Sequence, residues 1–141
     1  MTISFEIEGV PVTGKAARTF AVTNRGELAH KGDTVSHYRT VPDKRVRSFK
    51  QRVAALALIA RQKAGCKCWP RDVGIEANIF IRCKRPLSTP DLDNAQKILW
   101  DACKGIIFKD DAQIVNLHAE KTQVHTKGMR EGTSVVFRKM S

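Results

Sequence analysis

Aspartates are concentrated in one stretch of this chain, where their spacing suits metal chemistry. Asp91 and Asp93 lie two residues apart, and the pair Asp110 and Asp111 follows after a helical segment. Acidic residues are the scarcer charge, 14 against 25 lysines and arginines, so the grouping stands out. A hard divalent cation binds oxygen ligands and can act on phosphate. The stretch therefore predicts a divalent-metal site directed at a phosphate.

The start of the helix after Pro90 also has a purely structural explanation. Asp93 with Gln96 three residues later resembles a capping box, and Pro90 with Asp91 is an equally good first turn. Capping accounts for either aspartate alone but explains the two together poorly. If residues 91–93 are extended and the helix begins at Asp93, both carboxylates share one face. We expect this extended geometry.

The pair Asp110 and Asp111 lies beyond that helix, and its spacing leaves two interpretations open. The pair either turns the chain into a strand at Ile114 or supplies one more metal ligand. An extended connection over residues 106–109 is expected to bring the pair back toward Asp91. In the second interpretation, one of the two carboxylates completes the metal cluster.

Lys97 lies four residues after Asp93, on the same face of the helix. An ordinary ion pair between the two side chains is one interpretation. Beside a metal site, the ammonium would instead contact the scissile phosphate or stabilise the charge that builds on it. The spacing leaves both interpretations open.

Hydrophobic periodicity predicts the elements that position these residues. Strands are expected over 3–7, 73–83, 114–124 and 135–137, and helices over 43–65 and after Pro90. The basic stretch 15–40 is expected to be irregular. This order predicts a single α+β domain over residues 1–141. It has a mixed β-sheet of about four strands with two helices packed on it, in the order β-α-β-α-β-β.

The overall charge points to a polyanionic partner. The net charge is +11 and the isoelectric point about 9.9, which gives a long-range attraction for nucleic acid that weakens with salt. The sequence has no apolar run long enough to span a membrane, and its N-terminus lacks the pattern of a signal peptide. We therefore expect a cytoplasmic protein without a membrane partner, and four cysteines in the reduced form.

These residues carry a resemblance to a known family. The motif Asp91-Leu92-Asp93-Asn94-x-Gln96-Lys97, followed by Asp110-Asp111-Ala112-Gln113, resembles the RusA family of Holliday junction resolvases, which is common on phages and prophages. The opening strand, Gly9-Val10-Pro11 and the basic residues Lys15 and Arg18 are similar to the family's N-terminal part. The resemblance covers most of the chain.

The resemblance implies a magnesium-dependent endonuclease, with Mn²⁺ as a possible substitute. The family's essential acidic residues, catalytic and metal-binding, match Asp91, Asp93 and Asp111, and its essential lysine matches Lys97. Basic residues are expected to contact DNA phosphates and so to position the substrate. These are Lys15, Arg18, Lys84, Arg85 and Lys97.

The resemblance also implies a homodimer that resolves four-way junctions by paired symmetric nicks, in DNA recombination and repair. Trp100, which falls off the apolar stripe of its helix, and Ile107 are expected at the dimer interface. Two other functions stay open. One is a nuclease for other branched or single-stranded DNA, and the other is a DNA-binding module that does not cut.

Overall fold

The computed structural model describes residues 1–13, 18–41, 43–87, 89–125 and 128–140. The chain forms two compact units, one of Met1–Thr13 with Phe49–Ser141 and one of Gly14–Ser48. A single domain over residues 1–141 stays a prediction. Within the described ranges, no helix is long and apolar enough to cross a membrane.

The predicted α+β architecture is confirmed. In chain order the elements are β1 (Thr2–Glu8), β2 (Arg18–Val22), β3 (His37–Val41), α1 (Lys44–Lys63), β4 (Ile75–Cys83), α2 (Leu92–Cys103), β5 (Ile114–Gln123) and β6 (Gly132–Lys139). A short 3₁₀ turn, Asp111–Gln113, precedes β5. The smaller unit adds an antiparallel pair, β2 with β3, where the sequence predicted irregular chain.

The main sheet has the strand order β1-β6-β4-β5. Antiparallel pairing joins β6 to both β1 and β4, whereas β5 is parallel to β4 and forms an edge of the sheet. Alternate residues of β4 are fully buried, among them Ile75, Ile79 and Ile81, so one face of the sheet carries the core. The parallel pair requires a crossover connection, which α2 provides. Helix α2 therefore runs back from the end of β4 to the start of β5.

An aromatic cluster joins α2 to the sheet. Trp100 packs against Phe137 of β6 with ring centroids 5.5 Å apart and against Phe108 at 6.4 Å. Trp100 is 8% exposed, and Ile107 is fully buried. The prediction that these two residues form the dimer interface is therefore wrong. The chain turns at Gly105 (φ +84°), and Phe108 packs back onto the helix, which buries a wider face of α2 than the apolar stripe indicated.

Candidate active site at the two ends of α2

The first turn of α2 presents two carboxylates without internal partners. The Ala95 amide donates to the Asp91 carbonyl over 3.0 Å, so the helix begins at Leu92 with Asp91 as its N-cap residue. The expected extended segment with a helix start at Asp93 is therefore wrong, because Asp93 already lies in the first turn. The Asp91 side chain makes no capping hydrogen bond. Both side chains are exposed.

Lys97 is exposed one turn further along α2. No ion pair in the described part of the chain joins it to Asp93. Asp101 of α2 does form an ion pair, because its carboxylate lies 3.4 Å from the Lys50 ammonium of α1. The Lys97 ammonium is therefore available to an external anion next to the two carboxylates.

Lys121, a residue to which the sequence assigned no role, supports the loop in front of α2. Its ammonium donates to the Pro86 carbonyl over 3.0 Å and lies 3.5 Å from the carbonyls of Thr89 and Pro90. Lys121 belongs to β5, where its backbone pairs with Ile81 of β4. The start of α2 therefore lies beside the last residues of the parallel strands.

The aspartate pair before β5 is held by a buried glutamine. Asp110 caps the 3₁₀ turn, accepting from the Ala112 amide at 3.1 Å, and this amide is the main cause that holds the pKa of Asp110 below its usual value. The Gln113 amide oxygen accepts from the Lys109 and Asp110 amides at 2.8 and 2.9 Å. Asp111 projects an exposed side chain from this fixed turn.

The amide nitrogen of Gln113 fastens the same turn to the chain before β4. It donates to the Pro70 carbonyl over 2.7 Å and to the Val73 carbonyl over 3.1 Å, with the Trp69 carbonyl at 3.4 Å. Gln113 is only 5% exposed. The sequence placed Gln113 within the motif but assigned it no task, because a buried hydrogen-bonding hub leaves no periodic signal.

The parallel crossover separates the predicted ligands. Ile114 pairs with Ile75 at one end of the parallel strands, and Gln123 pairs with Cys83 at the other end. Asp91 and Asp93 lie at the second end and Asp111 at the first, and α2, whose 12 residues span about 18 Å, connects the two ends. Among the described residues, no three histidine, cysteine or acidic side chains form a group that could hold a metal ion. The expected return of the pair to Asp91 is therefore wrong within one chain.

Basic residues flank the start of α2. Lys84 and Arg85 line a cavity of about 360 Å³ together with Thr89, Pro90 and Glu131. The Glu131 carboxylate accepts from the Lys84 amide over 2.9 Å. Both basic side chains are exposed, and Pro90, which directly precedes Asp91, lines the same cavity. Of the other predicted DNA contacts, Lys15 lies outside the described residues, and Arg18 begins β2.

A family model described as endodeoxyribonuclease RusA matches residues 19–130. The chain belongs to the RusA family. The resemblance carried by the Asp91–Lys97 motif is thereby confirmed, and the chain is an endodeoxyribonuclease whose substrate is DNA. Among curated proteins, none matches the chain.

The polar side chains near the start of α2 lie opposite a well-packed face of the helix. The side chains of Asp91, Asp93 and Lys97 form no hydrogen bond or ion pair within the described part of the chain, yet the helix beside them is well packed. Ala95, Ile98 and Leu99 bury the opposite face of that helix. One face of the helix is packed against the core, and the other carries polar groups without internal partners. Such an arrangement is expected for groups that act on a substrate.

Proposed function

We propose that this chain is a Mg²⁺-dependent nuclease that resolves four-way DNA junctions as a homodimer. It would make paired symmetric nicks in DNA recombination and repair. The observation that carries the proposal is the exposed start of α2, where Asp91, Asp93 and Lys97 have no partners within the described chain. In a protein of net charge +11, carboxylates directed at DNA would repel the substrate unless a cation lay between them.

The residues present fit a hard divalent cation. Asp91 and Asp93 supply oxygen ligands, and Mn²⁺ would serve in place of Mg²⁺ because it accepts the same donors. Such a cation, when bound, activates water and stabilises charge on the phosphate. In this proposal Lys97 would contact that phosphate, and Lys84 and Arg85 would hold the neighbouring backbone. Contacts to phosphate do not depend on the base sequence, which suits an enzyme that recognises DNA shape.

The third carboxylate is supplied in this proposal by a second chain. Strand β5 is an edge strand, and Val115 and Leu117 on it are 65% and 40% exposed. Antiparallel pairing of two β5 edges about a twofold axis would set the start of one strand beside the end of the other. Asp111 of one chain would then approach Asp91 and Asp93 of its mate. Two complete sites would result, one for each of the two nicks.

A substrate comparison tests the activity. We expect cleavage of a four-way junction with Mg²⁺ and none without it, with a simple fork and a linear duplex cut more slowly. Preferential cutting of forks or single strands would favour the alternative nuclease. Tight junction binding with no cutting in Mg²⁺ or Mn²⁺ would favour the binding module.

The two aspartates before β5 should differ sharply. Asp111→Asn should lower junction cleavage by about 100-fold or more, because it removes a proposed metal ligand. Asp110→Asn should cut almost normally, because an asparagine oxygen can still accept from the Ala112 amide. Single-turnover cleavage of both proteins at equal junction occupancy measures the difference. Normal cutting by the Asp111 variant with loss in the Asp110 variant would reverse the assignment.

Lys97→Ala should slow single-turnover cleavage strongly while leaving the melting temperature nearly unchanged. The side chain is exposed and unpaired in the described structure, so its removal should cost within about 0.5 kcal/mol of stability. Lys63→Ala in α1, another exposed helical lysine, is the charge-matched control. Equal turnover in the two variants would remove Lys97 from the chemistry.

A further inference from the structure

Lys121 makes an unusual set of contacts for a strand lysine. Its ammonium has three donors, and it is directed at three backbone carbonyls, those of Pro86, Thr89 and Pro90, at 3.0, 3.5 and 3.5 Å. The side chain is half-buried, and in the described part of the chain it forms no ion pair. The three carbonyl partners of the Lys121 ammonium therefore all belong to one short loop.

That loop ends at the proposed ligands. Pro90 is bonded to Asp91, and the Asp91 carbonyl accepts the first hydrogen bond of α2. Within the loop, Thr89 closes back on the Arg85 carbonyl through its amide and its hydroxyl, at 3.0 and 2.9 Å. Lys121 is the side chain that ties this closed loop to the sheet, in the region that the structure describes.

Stability alone does not favour a lysine at this place. The N-terminus of a helix carries partial positive charge, so a cation beside it is disfavoured. A half-buried ammonium also loses hydration that carbonyl oxygens replace only in part. The Asp91 and Asp93 carboxylates have no partners in the described part of the chain, and Asp91 directly follows Pro90, whose carbonyl lies 3.5 Å from the Lys121 ammonium.

We propose that Lys121 is a positioning residue for the Asp91–Asp93 half of the active site. It fixes Pro86, Thr89 and Pro90 against β5 and thereby sets where the two carboxylates emerge. This inference rests on the proposed function only for its effect on cleavage. The effect on the loop itself is independent of any activity.

Two substitutions at Lys121 test the inference. Lys121→Met keeps the apolar stem and removes the donors, and Lys121→Arg keeps a cationic donor. Lys139→Met, an exposed lysine at the end of β6, removes the same charge and serves as the control. Amide hydrogen exchange at Thr89 and Ala95, whose hydrogen bonds close the loop and start the helix, is the first measurement. Single-turnover junction cleavage is the second.

In Lys121→Met, exchange at Thr89 and Ala95 should quicken at least about tenfold while amides of β4 and β6 are unchanged. Cleavage should fall about 10–100-fold, the range typical when a group that orients metal ligands is removed. Lys121→Arg should recover most of both, and Lys139→Met should match the parent. Unchanged exchange at the two amides, or faster exchange throughout the sheet, would overturn the inference. If the parent protein cuts no DNA, the proposed function fails while the exchange result still decides the role of Lys121.

Discussion

A mixture of Asp93→Asn chains and Asp111→Asn chains should nick DNA junctions although neither protein does so alone. The reason is the separation of the proposed ligands at opposite ends of α2. If each site takes Asp93 from one chain and Asp111 from the other, a mixed dimer has one site with both substitutions and one site with neither. With random pairing of equal amounts, about a quarter of the parent's sites are intact.

The measurement is cleavage of a labelled junction after the two variants are mixed, unfolded together and refolded. Each mixed dimer should nick one strand without resolving the junction, because it holds a single working site. Asp91→Asn mixed with Asp93→Asn is the matched control, and it should stay inactive since both changes damage the same half. Absence of recovery in the first mixture, with mixed dimers demonstrated by mass, would show that the ligands are not shared.

Gln113→Leu should destabilise the protein by about 2–4 kcal/mol. The leucine is similar in size but leaves two backbone amides and up to three carbonyls without the partner that Gln113 supplies, and an unsatisfied buried group costs about 1–3 kcal/mol. Urea unfolding measures the change. Gln62→Leu, at an exposed position of α1, is the control and should change stability by less than about 0.5 kcal/mol.

The cleavage of the Gln113→Leu protein separates two roles of the same side chain. Below the temperature at which the variant unfolds, Asp111 should still be poorly placed, so cutting should fall more than the folded fraction does. A loss of cutting that follows the folded fraction alone would mean that Gln113 serves stability without positioning Asp111. A variant as stable as the parent would contradict the hydrogen-bond network itself.

The sequence predicted the elements whose periodicity is strong. Ile3, Phe5 and Ile7 alternate on β1, and the apolar stripe of α2 lies on its buried face. The β2–β3 pair was missed because residues 37–41 are mostly polar and the connection between the two strands is long. A short hairpin turn, which is the strongest local signal of such a pair, is absent from the sequence there.

The residue assignments of the candidate site stay a prediction, and the geometry expected from the sequence was wrong within one chain. Asp91, Asp93 and Asp111 were identified as a group from their types and the family motif, whereas their separation follows from the parallel pairing of β4 and β5. Parallel or antiparallel pairing is a tertiary property that the local pattern of β5 does not specify. The supporting roles of Lys121 and Gln113 were not predicted for a similar reason. Both side chains donate to backbone carbonyls that lie far away in the sequence.

Helix α2 also sets how the activity should depend on enzyme concentration. It is a rod of about three turns whose buried face is fixed to the sheet, so its two ends cannot approach each other without unfolding. Under the proposed sharing, a single chain holds Asp91 and Asp93 of one site and Asp111 of the other. It therefore completes neither site and cuts nothing. Below the dissociation constant of the dimer, the cleavage rate should rise with the square of the enzyme concentration. A single copy would therefore leave DNA intact until it binds a second one.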